Sequence, residues 1–149
     1  MNPARLAARC VQLLGPVPGP VAVVAPRAPR LAAALAARVQ LAEATDAPGA
    51  AVVAFVGATA DPASRQRLLT ALGARLPVGG ALVLVDHNQP RAWWRRAAAL
   101  VPLAAARLGP ARARSPAARE LAALGFTVER LRLECGERVQ LVVARRAPG

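Results

Sequence analysis

Lysine and tyrosine are absent from this chain, and histidine occurs once, at His87. The two cysteines, Cys10 and Cys135, lie far apart and outside any CxxC pair. A structural metal centre built from Cys and His is therefore not expected, and both thiols are expected to behave as small buried apolar residues. No window reaches the ~18 uninterrupted apolar residues of a membrane span. The start Met1-Asn2-Pro3-Ala4-Arg5 does not lead into a secretory signal, because Arg5 and Arg9 interrupt the first apolar stretch and Gly15-Pro16 breaks it. The expected compartment is the cytoplasm, with no membrane contact. Neither a Ser-His-Asp arrangement nor a phosphate-binding P-loop is present. Aromatics make up 3% of the chain, which leaves few large anchors: Phe55, Trp93, Trp94 and Phe126.

What is abundant is alanine, arginine, leucine, valine, proline and glycine. Apolar residues reach 55% over 149 residues, enough for the core of one domain spanning residues 1–149. Much of that fraction is alanine, which buries little area per residue. The net charge of +12 would point to nucleic acid if the positive residues were clustered. All 20 basic residues are arginine, however, and they are spread along the chain, as a GC-rich coding sequence tends to produce. Nucleic acid is therefore not an expected partner. Arg91, Arg95 and Arg96 would face an anionic substrate or form a solvated helix face, and Arg107, Arg112 and Arg114 fall in a basic loop.

Periodicity divides the chain into short elements. Pro3 to Leu14 reads as an amphipathic helix with Leu6, Cys10, Leu13 and Leu14 on one face. The Pro/Gly run 15–20 is a loop. Val21 to Val24 is a buried strand, Arg30 to Arg38 a helix, and Val39 to Glu43 a possible short strand. Ala51 to Val56 and Ala81 to Val85 are continuous apolar runs, the mark of strands covered on both faces. Between them Asp61-Pro62 opens a helix carrying Leu68, Leu69, Leu72 and Leu76 inward. A helix with Trp93, Trp94, Leu100 and Leu103 is expected to extend to about Leu108, and another covers Ala117 to Leu124 behind Ser115-Pro116. Phe126 to Leu133 and Arg138 to Ala144 alternate and form an antiparallel hairpin, with residues 145–149 as a tail. The order predicts an α/β protein: a three-layer, Rossmann-like open sheet, mostly parallel, with an antiparallel C-terminal hairpin.

Several segments carry a resemblance. Leu76-Pro77-Val78-Gly79-Gly80-Ala81-Leu82-Val83-Leu84-Val85-Asp86 resembles the L-x-P-G-G-x-L-V-L-V-D strand of class I S-adenosylmethionine-dependent methyltransferases (methyltransferase type 11-like). Leu121-x-x-Leu124-Gly125-Phe126 resembles the segment that leads into that family's penultimate strand, and the closing hairpin fits its reversed final strand. Together these cover Asp61 to Arg145. The first half departs from the family. After the first strand the family places a Gly-rich turn that lets the backbone approach the cofactor; Ala25-Pro26-Arg27-Ala28-Pro29 stands there instead. There is also room for only one helix and one short strand before Ala51, where the family has two further strands.

The resemblance implies S-adenosylmethionine as cofactor, with Ala25 at the turn, Glu43 toward the ribose, Asp46 toward the adenine, and Gly57 after the next strand. Glu43 ends either the second or the third strand of the family pattern. Asp86-His87-Asn88 closes a central strand, where open α/β sheets border their ligand crevice. His87 suits a general base, and Asp86, Asn88 and Trp93 would stand on the substrate side. The other possibility is that Asp86 and Asn88 satisfy loop backbone and His87 is exposed. The resulting function is methyl transfer to a small molecule, with cofactor binding impaired by the missing glycines. The alternative is a non-catalytic relative serving as a partner or structural subunit, with a protein partner or homodimer as its setting.

Overall fold

The computed structural model describes residues 2–43, 47–56, 62–88 and 117–148. Its elements are α1 (Pro3–Leu14), β1 (Val21–Val24), α2 (Pro29–Ala36), β2 (Ala50–Ala54), α3 (Pro62–Arg75), β3 (Ala81–His87), α4 (Ala117–Ala123), β4 (Phe126–Glu134) and β5 (Val139–Arg146). The helix expected around Trp93 and Trp94, and the cap at Ser115-Pro116, lie outside the described residues.

The strands form one open sheet in the order β1-β2-β3-β5-β4. β1, β2 and β3 run parallel, β5 runs against β3, and β4 runs against β5. Only β5 is therefore reversed, as the expected mostly parallel sheet with a closing hairpin requires. Strand parity distributes the core. Ala81, Val83 and Val85 of β3 join Ala50, Val52 and Ala54 of β2 and Val139, Leu141 and Val143 of β5 against Leu6, Cys10 and Leu14 of α1 and Leu31 and Leu35 of α2. Leu82 and Leu84 turn the other way, with Val53, Val142 and Phe126, against Leu69 and Leu72 of α3 and Leu121 of α4. Continuous apolar runs form because both faces are covered.

A small feature explains why the helices fall on both faces. Leu41 makes an isolated parallel bridge to Val21, on the side of β1 away from β2. Val21 donates its N–H to the Gln40 carbonyl, and Ala42 donates to the Val21 carbonyl. The chain thus leaves β1, crosses outward by α2, returns past β1 to β2, and continues inward by α3 to β3. Right-handed crossovers in opposite directions place their helices on opposite faces. The expected strand Val39 to Glu43 is reduced to this bridge, and it lies beside β1.

Other boundaries shift by a few residues. β2 ends at Ala54, because Phe55 enters the left-handed region at φ 55. β3 runs on through Asp86 and His87, so these two belong to the strand and not to the loop after it. Arg145 and Arg146, expected in the tail, pair with Thr127 and Phe126. Asn2 caps α1 by accepting from the Ala4 and Arg5 amides at 3.0 and 3.3 Å, the standard way of satisfying first-turn donors.

Among the described glycines, Gly49 is the one most closely approached by neighbouring backbone. Its N–H donates to the Pro20 carbonyl, and a Cβ placed there would stand 1.9 Å from the Pro18 carbonyl oxygen. Gly49→Ala must push the 15–20 loop off the start of β2, and it should cost on the order of 3 kcal/mol, measured as a fall in the urea midpoint. The thiols give a second test. Cys10 is buried under α1 and burial pushes its thiol up to about 12, while Cys135 is exposed on the hairpin turn. One thiol should react with a disulfide reagent at pH 8 in the native protein, and two after denaturation.

Candidate functional site

The carboxyl ends of β1, β2 and β3 lie along one edge of the sheet. The chain changes direction at β1, and in open α/β sheets ligands occupy the crevice outside such a switch point. Ala25 closes β1 at that edge, Phe55 follows β2, and Asp86-His87-Asn88 ends β3.

Parity separates Asp86 from His87. Asp86 follows Leu84 onto the α3/α4 face, where it is 6% exposed and paired with Arg65 of α3, itself 7% exposed. Arg65 Nη1 donates to Asp86 Oδ2 at 2.6 Å. Its Nε donates to both carboxylate oxygens of Glu120 on α4 at 3.0 Å. Nη2 stands 2.9 Å from Glu120 Oε2 as an ion-pair contact but without hydrogen-bond alignment. Asp86, expected on the substrate side, directs its carboxylate into a buried ion cluster that joins α3, β3 and α4. Asn88 is likewise engaged in structure. Its side-chain amide donates to the Glu137 carbonyl at 2.7 Å and its backbone N–H to Arg138, tying β3 to the turn of the hairpin.

His87 points to the opposite face, in line with Val83 and Val85. Its ring stacks at a tilt on Phe55, with centroids 4.7 Å apart. The strained φ of Phe55 delivers its ring to this spot; such strain persists only where the surroundings enforce it. His87 is half-buried, and burial lowers its pKa below the ordinary value, partly offset by the negative charge of Asp86. Burial thus favours the neutral imidazole, the state in which it can accept a proton.

The cofactor side is thinner. The turn after β1 closes with Ala28 N–H donating to the Ala25 carbonyl at 3.0 Å, and α2 begins at Pro29 with no side-chain cap. Pro26 and Pro29 carry no N–H, and the Ala28 N–H is used inside the turn. Ala25 and Ala28 carry small side chains at this corner, and Pro26 and Arg27 between them are exposed. Glu43 does not reach this edge by strand extension. Leu41 is level with Val21, the first residue of β1, and the Glu43 carbonyl accepts from Arg75 at the C-terminal end of α3 at 3.3 Å. Asp46, Gly57 and Trp93 lie outside the described residues.

Three features of this edge were not anticipated from sequence: the Arg65–Glu120 cluster, the strain at Phe55, and a groove. The groove, about 1000 Å³, lies between α1 and the hairpin turn and is lined by Arg5, Leu6, Arg9, Leu133 and Glu137. Because the Glu137 carbonyl holds Asn88, the groove adjoins the end of β3. Among the described residues no group of three His, Cys, Asp or Glu side chains converges to hold a metal ion, and no helix is long and apolar enough to cross a membrane.

No family model and no curated protein sequence matches the chain. Solved structures do. The glycopeptide N-methyltransferase MtfA, complexed with sinefungin, aligns over 99% of this chain and 95% of its own at a TM-score of 0.65 and 18% identity. N-methyltransferase NodS from Bradyrhizobium japonicum aligns over 99% and 98% at 0.59 and 14% identity. The pyocyanin biosynthetic protein PhzM is 20% identical over 85% of this chain at 0.59, and the chain spans 42% of its length. The fold is the Rossmann-like fold of class I S-adenosylmethionine-dependent methyltransferases, shortened in its first half.

The lowered pKa of His87 gives a pH test with a definite sign. The unfolded state takes up the proton first as pH falls below 6.5, so the stability associated with the neutral imidazole is present above that value and lost as pH falls through the lower folded-state midpoint. Between pH 7.5 and 5.5 the urea midpoint should fall further in the wild type than in His87→Gln.

Proposed function

We propose that this chain is a methyltransferase domain that binds S-adenosylmethionine at the carboxyl ends of β1 and β2 and methylates a small molecule beside His87. The observation that carries the proposal is the half-buried imidazole of His87, stacked on Phe55 at the sheet edge beside the switch point, on a fold shared along nearly its whole length with MtfA and NodS. Human N-acetylserotonin methyltransferase, of which this chain spans 52%, is another solved structure of this fold and holds its cofactor as a complex with SAM. When bound, S-adenosylmethionine supplies an electrophilic methyl group on its sulfonium sulfur. The chain's own contribution is positional. The turn after β1, with the small Ala25 and Ala28, is assigned to the methionine portion, and Phe55 supplies an apolar ring beside His87. His87 accepts the proton released by an acceptor hydroxyl or amine. The groove between α1 and the hairpin turn gives a small acceptor a way to the same edge.

The turn Ala25–Ala28 sets the expected weakness. With two prolines and no glycine it offers fewer backbone donors than a Gly-rich loop, so affinity for the cofactor is reduced and not abolished. Asp46 and Gly57 remain the residues assigned to the adenine side and the β2 edge, Glu43 to the ribose if the cofactor reaches it, and Trp93 to the acceptor. A cytoplasmic setting fits the same assignment. The competing possibility, a non-catalytic relative acting as a partner or structural subunit, is favoured by the absence of glycine from this turn.

Calorimetric titration with S-adenosylhomocysteine decides between them. Saturable binding is expected for the wild type, and no heat at millimolar ligand would sink the methyltransferase reading. His87→Gln should leave that affinity within about twofold, since the imidazole acts on the proton and not on the cofactor. With a methyl acceptor in hand, the same variant should slow transfer by roughly 10²–10⁴.

A further inference from the structure

The end of β3 holds buried charges where apolar residues would finish the core. Replacing a buried ion pair with well-packed apolar residues is often neutral or stabilising. Packing alone therefore gives no reason for Arg65 and Asp86 to be charged. Their geometry does something an apolar pair could not. Asp86 divides its two oxygens between a side chain and the main chain: Oδ2 accepts from Arg65 at 2.6 Å, and Oδ1 accepts from the backbone N–H of His87 at 2.8 Å. On the other side of the same residue, the His87 carbonyl accepts from Gln140 Nε2 at 3.2 Å, and Asn88 N–H donates to Arg138. The His87 main chain is thus held at its donor, its acceptor and the next amide, leaving the ring to settle on Phe55.

We propose that Arg65 is a positioning residue for His87: it fixes the Asp86 carboxylate on one face of the sheet so that Asp86 fixes the His87 main chain and the imidazole stands at the carboxyl edge on the other. The proposal rests on the role given to His87 above. Glu120 orients Arg65 from α4 by accepting from Nε with both oxygens, which leaves Nη1 directed at Asp86. Among the described residues, the charged groups on the elements around His87 include Asp86, Glu137 and Arg138, together with Arg5 and Arg9 of α1 and Glu134, which pairs with Arg9. Asp86 adjoins His87 on its own strand, and Glu137 and Arg138 flank Asn88 on the hairpin turn. Phe55 from β2, and Val139 and Gln140 opposite on β5, are neutral. With Arg65 as its counter-charge, Asp86 has no need of an imidazolium.

Because His87 is the only histidine, protein labelled with ¹⁵N/¹³C-histidine gives one amide and one imidazole signal set, with no assignment problem. In Arg65→Met the His87 amide should exchange at least about tenfold faster, as befits the loosening of a hydrogen bond to a charged group, and the imidazole signals should move. The amides of Val83 and Leu84 should stay protected. Glu120→Gln, whose remaining amide oxygen can still accept from Arg65 Nε, should move the His87 signals much less than Arg65→Met does. If folded Arg65→Met shows wild-type His87 signals, or if Glu120→Gln displaces them as far, the proposal is overturned and the cluster is only structural. Should Arg65→Met not fold, Asp86→Asn keeps an oxygen for the His87 amide but removes the charge that Arg65 holds. It should lower the imidazole titration midpoint further and speed amide exchange, and an unchanged histidine spectrum overturns the proposal. Titration of wild type with S-adenosylhomocysteine is read separately: its failure defeats the methyltransferase assignment and leaves the positioning result standing.

Discussion

A strand buried on both faces leaves no free position for a charge, and β3 is such a strand from Ala81 to Val85. Everything at the sheet edge depends on how that constraint is released. Two residues further on, the chain must pass from core to crevice while its side chains still alternate. The outcome is asymmetric. The inward position on the α3/α4 face is filled by Asp86, whose charge is balanced by Arg65. The next position, on the α1 face, is the edge itself and carries the imidazole. Unpaired, either charge would be strongly disfavoured in such surroundings; paired, they extend the rigidity of the core to the last residue of the strand.

The first half of the sheet is organised around β1. The bridge at Leu41 is too short to be a strand of its own, yet it preserves the change of direction that places α2 and α3 on opposite faces. The outer side of the sheet is thus short and still holds the switch point. A proline-bounded turn stands at Ala25–Ala28 after β1, and the Glu43 carbonyl accepts from Arg75 at the C-terminal end of α3.

Much of the fold was legible in the sequence because it is written in periodicity. Continuous apolar runs marked β2 and β3, alternation marked the hairpin, and the order of elements implied the layers. The candidate site was less legible, for two physical reasons. Extending β3 by two residues turned Asp86 from a loop side chain into a buried one, and no local pattern distinguishes those states. Its partner Arg65 comes from a different element 21 residues away and resembles any other arginine in a chain that has 20. The strain at Phe55 left no trace either, since a left-handed φ is anticipated at glycine or asparagine and not at a bulky aromatic residue.

Alternation along β3 also shapes how this chain can diverge. The tight turn before it, Pro77 to Gly80, sets the strand's phase. A one-residue insertion or deletion there would exchange the two faces, sending the imidazole toward Arg65 and the carboxylate toward Phe55. Leu82 and Val83 would trade sides with little chemical consequence, since both clusters accept aliphatic residues. The penalty for a shift of phase would fall almost wholly on the last two residues of the strand. Aliphatic residues along β3 are thus interchangeable between the two clusters, while the length of the turn that precedes it is fixed by what Asp86 and His87 must each face.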